Sequence, residues 1–272
     1  MKKIKLLLCL FMLTTLCGCS NLNKNESSKT LNAAMFWIST SLDPTNNYDG
    51  WVLSRIGVGE TLLKLNEKYE VEPSLAKSYE QIDDTTWKLT LKDHITFSNG
   101  KKVTGENVKA CLERAFEKNT RAIDYFDLNH VEAKGQDIYL YLNKSSGAIL
   151  NNLCEPLFTI YDASQSEEDI ANHPLCTGPF VVDDFVSEKT IDTSKNKKYY
   201  DGKAKLDHVH FSQVADSDAR VLALQSGEVD LANTIDYSSL KLFRNNKDYQ
   251  VLEVLGPRTN VIYMNNETTF LS

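Results

Sequence analysis

Residues 72–114 read EPSLAKSYEQIDDTTWKLTLKDHITFSNGKKVTGENVKACLER. Trp87, Leu89 and Leu91 alternate with Lys88, Thr90 and Lys92, a period of two that predicts a half-buried strand. The SNGK turn at 98–101 punctuates the chain. Thr104 then stands where a hydroxyl can cap a helix. Val108, Cys111, Leu112, Ala115 and Phe116 follow at i, i+3, i+4, i+7 and i+8, which lines one apolar helix face. The stretch is therefore a strand, a turn and an amphipathic helix in immediate succession, with Trp87, Leu89 and Leu91 in the core.

Outward from this unit the same mixture continues. AAMFWI (33–38) reads as a buried strand, and LDPTNNYDGW (42–51) is rich in turn formers. SRIGVGETLLKLN (54–66) begins as a short helix and passes into an apolar segment. DIYLYLN (137–143) and DHVHFSQV (207–214) read as strands, and DARVLALQS (218–226) as a helix stopped by Gly227. EVDLA (228–232) and RTNVIYMNN (258–266) read as further strands. No G-x-G-x-x-G fingerprint and no internal repeat is present. The expected class is mixed α/β, or α+β, with more than one lobe.

The amino terminus has the layout of a secretory signal. Lys2, Lys3 and Lys5 precede the apolar run Leu6–Leu16, which is shorter than the roughly 20 residues of a spanning helix. Leu16-Cys17-Gly18-Cys19 resembles a bacterial lipobox, which implies lipidation of Cys19 after removal of residues 1–18. Residues 19–30 are polar and suit a disordered tether. The formal net charge of −7 gives no footprint for nucleic acid. Past the signal no apolar run is long enough to cross a membrane. Cys111, Cys154 and Cys176 remain, at spacings that match no zinc pattern. They read as small apolar residues, and one disulfide among them stays open.

Candidate chemistry is sparse. The five histidines, His94, His130, His173, His208 and His210, lie in no catalytic motif. His208 and His210 share a strand face, which reads as a solvated face before it reads as a metal site. Glu228 and Asp230 share the face of an expected strand, and a solvated or capping role outweighs an acid pair. DSDAR (216–220) lacks the glycine and distal glutamate of a calcium loop. No cofactor is expected, and the balance favours a secreted binding protein over an enzyme.

Three segments resemble one family, the solute-binding proteins of the peptide/nickel class of ABC importers, also termed family 5. The first is residues 72–114, with Pro73-Ser74-Leu75-Ala76, Trp87, Lys92-Asp93, Phe97-Ser98-Asn99-Gly100, Thr104 and Arg114. The second is CTGPFVVDDFVSEKTIDTSKNKKYYDGKAKLDHVHF (176–211), where Phe180 and Tyr200 replace the family's usual Tyr and Trp. The third is DARVLALQSGEVDLA (218–232). The resemblance implies a periplasmic-binding-protein-like class II lobe with an inserted subdomain, incomplete in this sequence. The first lobe would be residues 31–50 and 174–266, and the inserted subdomain 51–173. Residues 267–272 would open the opposing lobe, whose absence would leave half a cleft unable to bind tightly.

It also implies a lipid-anchored receptor on the extracytoplasmic face of the cell membrane, working with ABC permease and ATPase subunits. Oligopeptide is the leading ligand, with a nickel–chelator complex as the alternative. A peptide-pheromone-binding lipoprotein or a non-functional truncated relative are further alternatives. LDPTNNYDGWVLSRIGVGE (42–60) is expected beside the cleft. Tyr48 and Trp51 could supply aromatic walls, and Arg55 or Arg121 could pair with a ligand carboxylate. Packing for the aromatics and a surface role for the arginines are the plainer readings. The region NNLCEPLF (151–158) lacks the arginine that some nickel-type relatives carry there.

Overall fold

Residues 72–114 fold into the strand, turn and helix of their pattern in a computed structural model that describes residues 28–254 together with Gly256 and Val261. In chain order the elements are β1 (Thr30–Met35), α1 (Gly50–Arg55), β2 (Leu63–Leu65), β3 (Val71–Pro73), β4 (Ala76–Gln81), β5 (Thr86–Leu91) and α2 (Gly105–Lys118). Next come α3 (Ala122–Tyr125), β6 (Leu128–Lys134), β7 (Asp137–Leu142), α4 (Ile149–Asn152), a 3-10 turn at Pro156–Phe158 and α5 (Glu167–Asn172). The chain continues through β8 (Phe180–Val186), β9 (Thr190–Lys195), β10 (His208–Gln213), α6 (Ser217–Ser226) and β11 (Leu231–Ala232). A 3-10 turn at Tyr237–Ser239 and α7 (Lys241–Arg244) follow.

The local causes are those of the sequence. Leu89 and Leu91 of β5 are fully buried, as alternation requires. Trp87 is only half-buried, and its indole N–H is shielded from solvent without a hydrogen-bond partner. Gly100 closes the turn after β5 at φ 91°, a conformation that favours glycine. Thr104 caps α2 in a reciprocal box: its Oγ1 accepts from the Asn107 amide at 3.4 Å, and its own amide donates to Asn107 Oδ1 at 3.0 Å. Val108, Cys111, Leu112 and Ala115 of α2 are buried.

α2 lies against β6 and β7 of a four-stranded antiparallel sheet ordered β4-β5-β7-β6. A second sheet has the order β11-β1-β10-β9-β8. There β1 runs parallel to β10 and β11, while β10, β9 and β8 run antiparallel. β2 and β3 form a separate ribbon. One contiguous core includes Ala33 and Met35 of β1, Leu89 of β5, Leu112 of α2 and Ile191 of β9.

Two expectations change, and the open question of a disulfide is answered. The segment 33–38 is not strand throughout, because β1 ends at Met35. Asn233 Oδ1 accepts the Phe36 amide at 3.0 Å and Gln213 Oε1 that of Ile38 at 2.6 Å, so side chains replace the ladder there. EVDLA contributes only Leu231–Ala232 to a strand. Glu228 and Asp230 thus share no strand face, and Asp230 instead accepts the Asn32 amide at 2.8 Å. Cys111, Cys154 and Cys176 are all free thiols, two of them buried. His210 Nδ1 lies 2.6 Å from Asp192 Oδ1 on the neighbouring strand, a pair bond rather than a metal site. Cys19 and, apart from Val261, the strand expected at 258–266 lie outside the described residues.

Candidate functional site

The loop between β1 and α1 is built by α2. Arg114, near its end, donates to both Asp43 carboxylate oxygens, Nη1 to Oδ1 at 2.9 Å and Nη2 to Oδ2 at 2.7 Å. It also donates to Thr45 Oγ1 at 2.7 Å, Tyr161 Oη at 2.9 Å and Glu167 Oε2 at 2.5 Å. Asn119, which follows α2, donates its side-chain amide to the Thr45 and Asn47 carbonyls, both at 3.1 Å. Burial raises the Asp43 carboxyl, but hydrogen bonds from Arg114 and Thr45 overcome it and hold the group below its ordinary 3.8. Asp49 behaves oppositely. Burial pushes it up to about 6, against one hydrogen bond from Asn46, and the Asp43 charge adds to the rise.

The loop and α1 form one side of an open hollow of about 440 Å³ lined by Phe36, Trp37, Tyr48, Trp51 and Arg55. Tyr48 and Trp51 are exposed there. The Arg55 guanidinium carbon stands 5.5 Å from the ring centroids of both Phe36 and Trp51, within cation–π range. Trp51 Nε1 donates to Glu155 Oε1 at 2.8 Å. Of the four residues expected near a ligand, the structure brings Tyr48, Trp51 and Arg55 to the lining. Arg121 stands behind it, its guanidinium carbon 3.7 Å from the Tyr48 ring centroid. Its Nη1 donates to the Asn47 carbonyl at 2.9 Å and its Nη2 to Tyr125 Oη at 2.7 Å.

Sequence reasoning missed Phe36, Trp37 and Glu155. The first two lay inside a run read as buried strand. Glu155 carries no local signal, because its partner Trp51 is 104 residues away. A smaller cavity of about 150 Å³ lies beside α1, with Ser54, Glu60, Thr61 and Cys154 in its wall. Glu60 there accepts from Thr177 Oγ1 at 2.8 Å, Tyr200 Oη at 3.2 Å and Tyr199 Oη at 3.3 Å, and burial raises its carboxyl. Among the described residues no group of three or more His, Cys, Asp or Glu could hold a metal ion. The larger hollow offers aromatic faces and a guanidinium, the chemistry of holding a solute with a carboxylate.

The family model described as bacterial extracellular solute-binding proteins, family 5 Middle, matches residues 70–272. The chain belongs to this family. Within family 5, it is 32% identical over 251 residues to the nickel-binding protein NikA of Staphylococcus aureus, covering 92% of this chain and 50% of NikA. It is 28% identical over 239 residues to the glutathione-binding protein GsiB of Escherichia coli O157:H7, covering 83% of this chain and 46% of GsiB. The crystal structure of S. aureus NikA in complex with Ni(L-His)2 superposes with a TM-score of 0.76, covering 81% of this chain and 46% of that one. A nickel ABC transporter structure from Bacillus halodurans does so with the same TM-score and coverage, at 31% identity. The chain thus spans about half the length of these relatives, and its mixed α/β architecture is that of a periplasmic-binding-protein class II lobe. No helix among the described residues is long and apolar enough to cross a membrane.

Proposed function

We propose that the chain captures a small carboxylate-bearing solute for an ABC permease and its ATPase, in the hollow walled by Tyr48, Trp51 and Arg55. The observation that carries this reading is a guanidinium set over the Phe36 ring and the exposed Trp51 ring in a chain of the solute-binding family. A nickel ion wrapped by amino acids is the first ligand reading. Its support is likeness to two nickel proteins at 31–32% identity. Among the described residues the lining offers no imidazole, thiolate or carboxylate, so the metal would be held through its chelator. A short peptide is the second reading, supported by likeness to GsiB. The protein works as a receptor and not as an enzyme.

The two-part division of the chain belongs to the same proposal. One sheet draws on residues 30–35 and 180–232, which supports a first lobe at 31–50 and 174–266 with its strand starting one residue earlier, at Thr30. The other draws on 76–142, within an inserted subdomain at 51–173.

Calorimetry with nickel plus histidine, and in parallel with glutathione and a tripeptide pool, tests the ligand reading. The hollow is open on one side, whereas formed sites bury some 70–90% of a small ligand, so the expected affinity is weak, roughly millimolar. The double variant Trp51→Ala/Arg55→Ala is expected to bind at least about tenfold more weakly, a difference of about 1.4 kcal/mol. Equal binding by the variant, or no saturable heat from any of these ligands, overturns the assignment.

Anchoring rests on Cys19 and the lipobox-like residues before it. Labelled palmitate fed to expressing bacteria is expected to enter the wild-type chain and not Cys19→Ala. Equal labelling of the two would remove the lipoprotein reading. Diacylation together with an amide-linked chain gives firm membrane attachment, where a single chain binds only marginally.

A further inference from the structure

We infer that Glu155 is a positioning residue that fixes the Trp51 indole in the wall of the hollow before any solute arrives. The consequence for solute capture rests on the proposal above; the positioning itself does not.

Trp51 is 38% exposed, so packing alone does not hold its ring. Its N–H is held instead by the Glu155 carboxylate at 2.8 Å, a charge-assisted bond from a distant segment of the chain. The Glu155 side chain is only 14% exposed, and the Arg121 guanidinium lies 4.0 Å from it. Glu155 is therefore a shielded anion with a cation beside it, pointing one oxygen at the indole.

The backbone makes this bond short. Gly50 begins α1, and a Cβ built on it would stand 2.4 Å from the Pro156 carbonyl oxygen. The start of α1 thus touches the turn that follows Glu155, closer than any side chain allows. That contact brings residue 51 within reach of residue 155.

Arg121 completes the support. It stacks on Tyr48, donates to Asn47 and Tyr125, and sits beside Glu155. A ligand carboxylate would have to displace these partners to reach it. Arg55 lines the hollow itself. Arg121 therefore backs the wall that Arg55 helps to line. A wall held by protein partners loses less rotamer freedom on binding, which is how preorganisation raises affinity.

The test is the indole N–H spectrum of the ligand-free, 15N-labelled chain. Three indole resonances are expected from three tryptophans. The Trp51 resonance is identified as the one missing from Trp51→Phe. In Glu155→Ala it is expected to move to the position of a solvated indole and to exchange with water at least about tenfold faster. In Glu155→Gln, which keeps an acceptor oxygen, it is expected to stay near its wild-type position. An unchanged Trp51 resonance in Glu155→Ala overturns the inference. Equal displacement in both variants with an equally lowered melting temperature marks general structural damage and overturns it too. Nickel–histidine calorimetry on the same variants separates the two readings. A moved resonance with unaltered affinity counts against the hollow as the binding site and leaves the positioning standing.

Discussion

Arg114→Ala is expected to lower the free energy of unfolding by about 3–5 kcal/mol, the loss that follows when one member of a buried ion pair is removed. Arg114 and Asp43 are each only 11–12% exposed in their side chains. Truncation leaves the Asp43 carboxylate buried with Thr45 as its remaining neutral donor, and leaves the Tyr161 hydroxyl without the guanidinium. Urea unfolding of the two proteins at neutral pH measures the difference.

The pH dependence fixes its origin. In the wild type the Asp43 carboxyl lies below 3.8, so its stabilisation is present above that value and is lost as pH falls through the lower folded one. Without Arg114 only the Thr45 hydrogen bonds oppose burial, so the carboxyl lies higher than in the wild type and is neutralised earlier on acidification. The gap between the two proteins is therefore expected to shrink on acidification. Asp49, raised to about 6, is common to both and makes each more stable as pH falls from 6 toward 3.8. A loss under about 1 kcal/mol at neutral pH would place the Arg114 network among the weak surface pairs.

Arg114 also shows what was legible in the sequence and what was not. Alternation over 87–92 and the cap at Thr104 are signals within a few residues, and they placed β5 and α2 correctly. The family signature included Arg114, but its partner Asp43 is 71 residues away, beyond any periodicity. The hollow was half legible for the same reason. Tyr48, Trp51 and Arg55 lie in one turn-rich stretch that the resemblance put beside a cleft. Phe36 and Trp37 were hidden because an apolar run does not record where side chains such as Asn233 and Gln213 cap the ladder. Trp87 illustrates the converse: its place on the apolar face of β5 was readable, but half-burial depends on what covers that face.

Phe158→Ala is expected to destabilise the chain by a similar amount, about 3–5 kcal/mol. Phe158 is 1% exposed and is central to an aromatic cluster. Its ring centroid lies 5.1 Å from Phe126, 5.8 Å from Tyr125 in an edge contact and 6.0 Å from Phe116 in a stacked one. These partners sit on α2, on α3 and just after it, so deletion of the ring opens a cavity between elements that cannot all collapse into it. At about 2–4 °C per kcal/mol for a domain of this size, the melting temperature should fall by roughly 6–20 °C. Phe158→Leu retains most of the volume and should cost less. The effect reaches the hollow as well. The Phe158 amide donates to the Glu155 carbonyl at 2.9 Å and thereby closes the turn that carries the acceptor of Trp51. Loosening of Phe158 should therefore displace the Trp51 indole resonance in the folded variant, at temperatures well below its transition. A variant with a lowered melting temperature and an unmoved Trp51 signal would mean that the turn keeps its geometry without the aromatic cluster, through its backbone bonds and the contact with Gly50 alone.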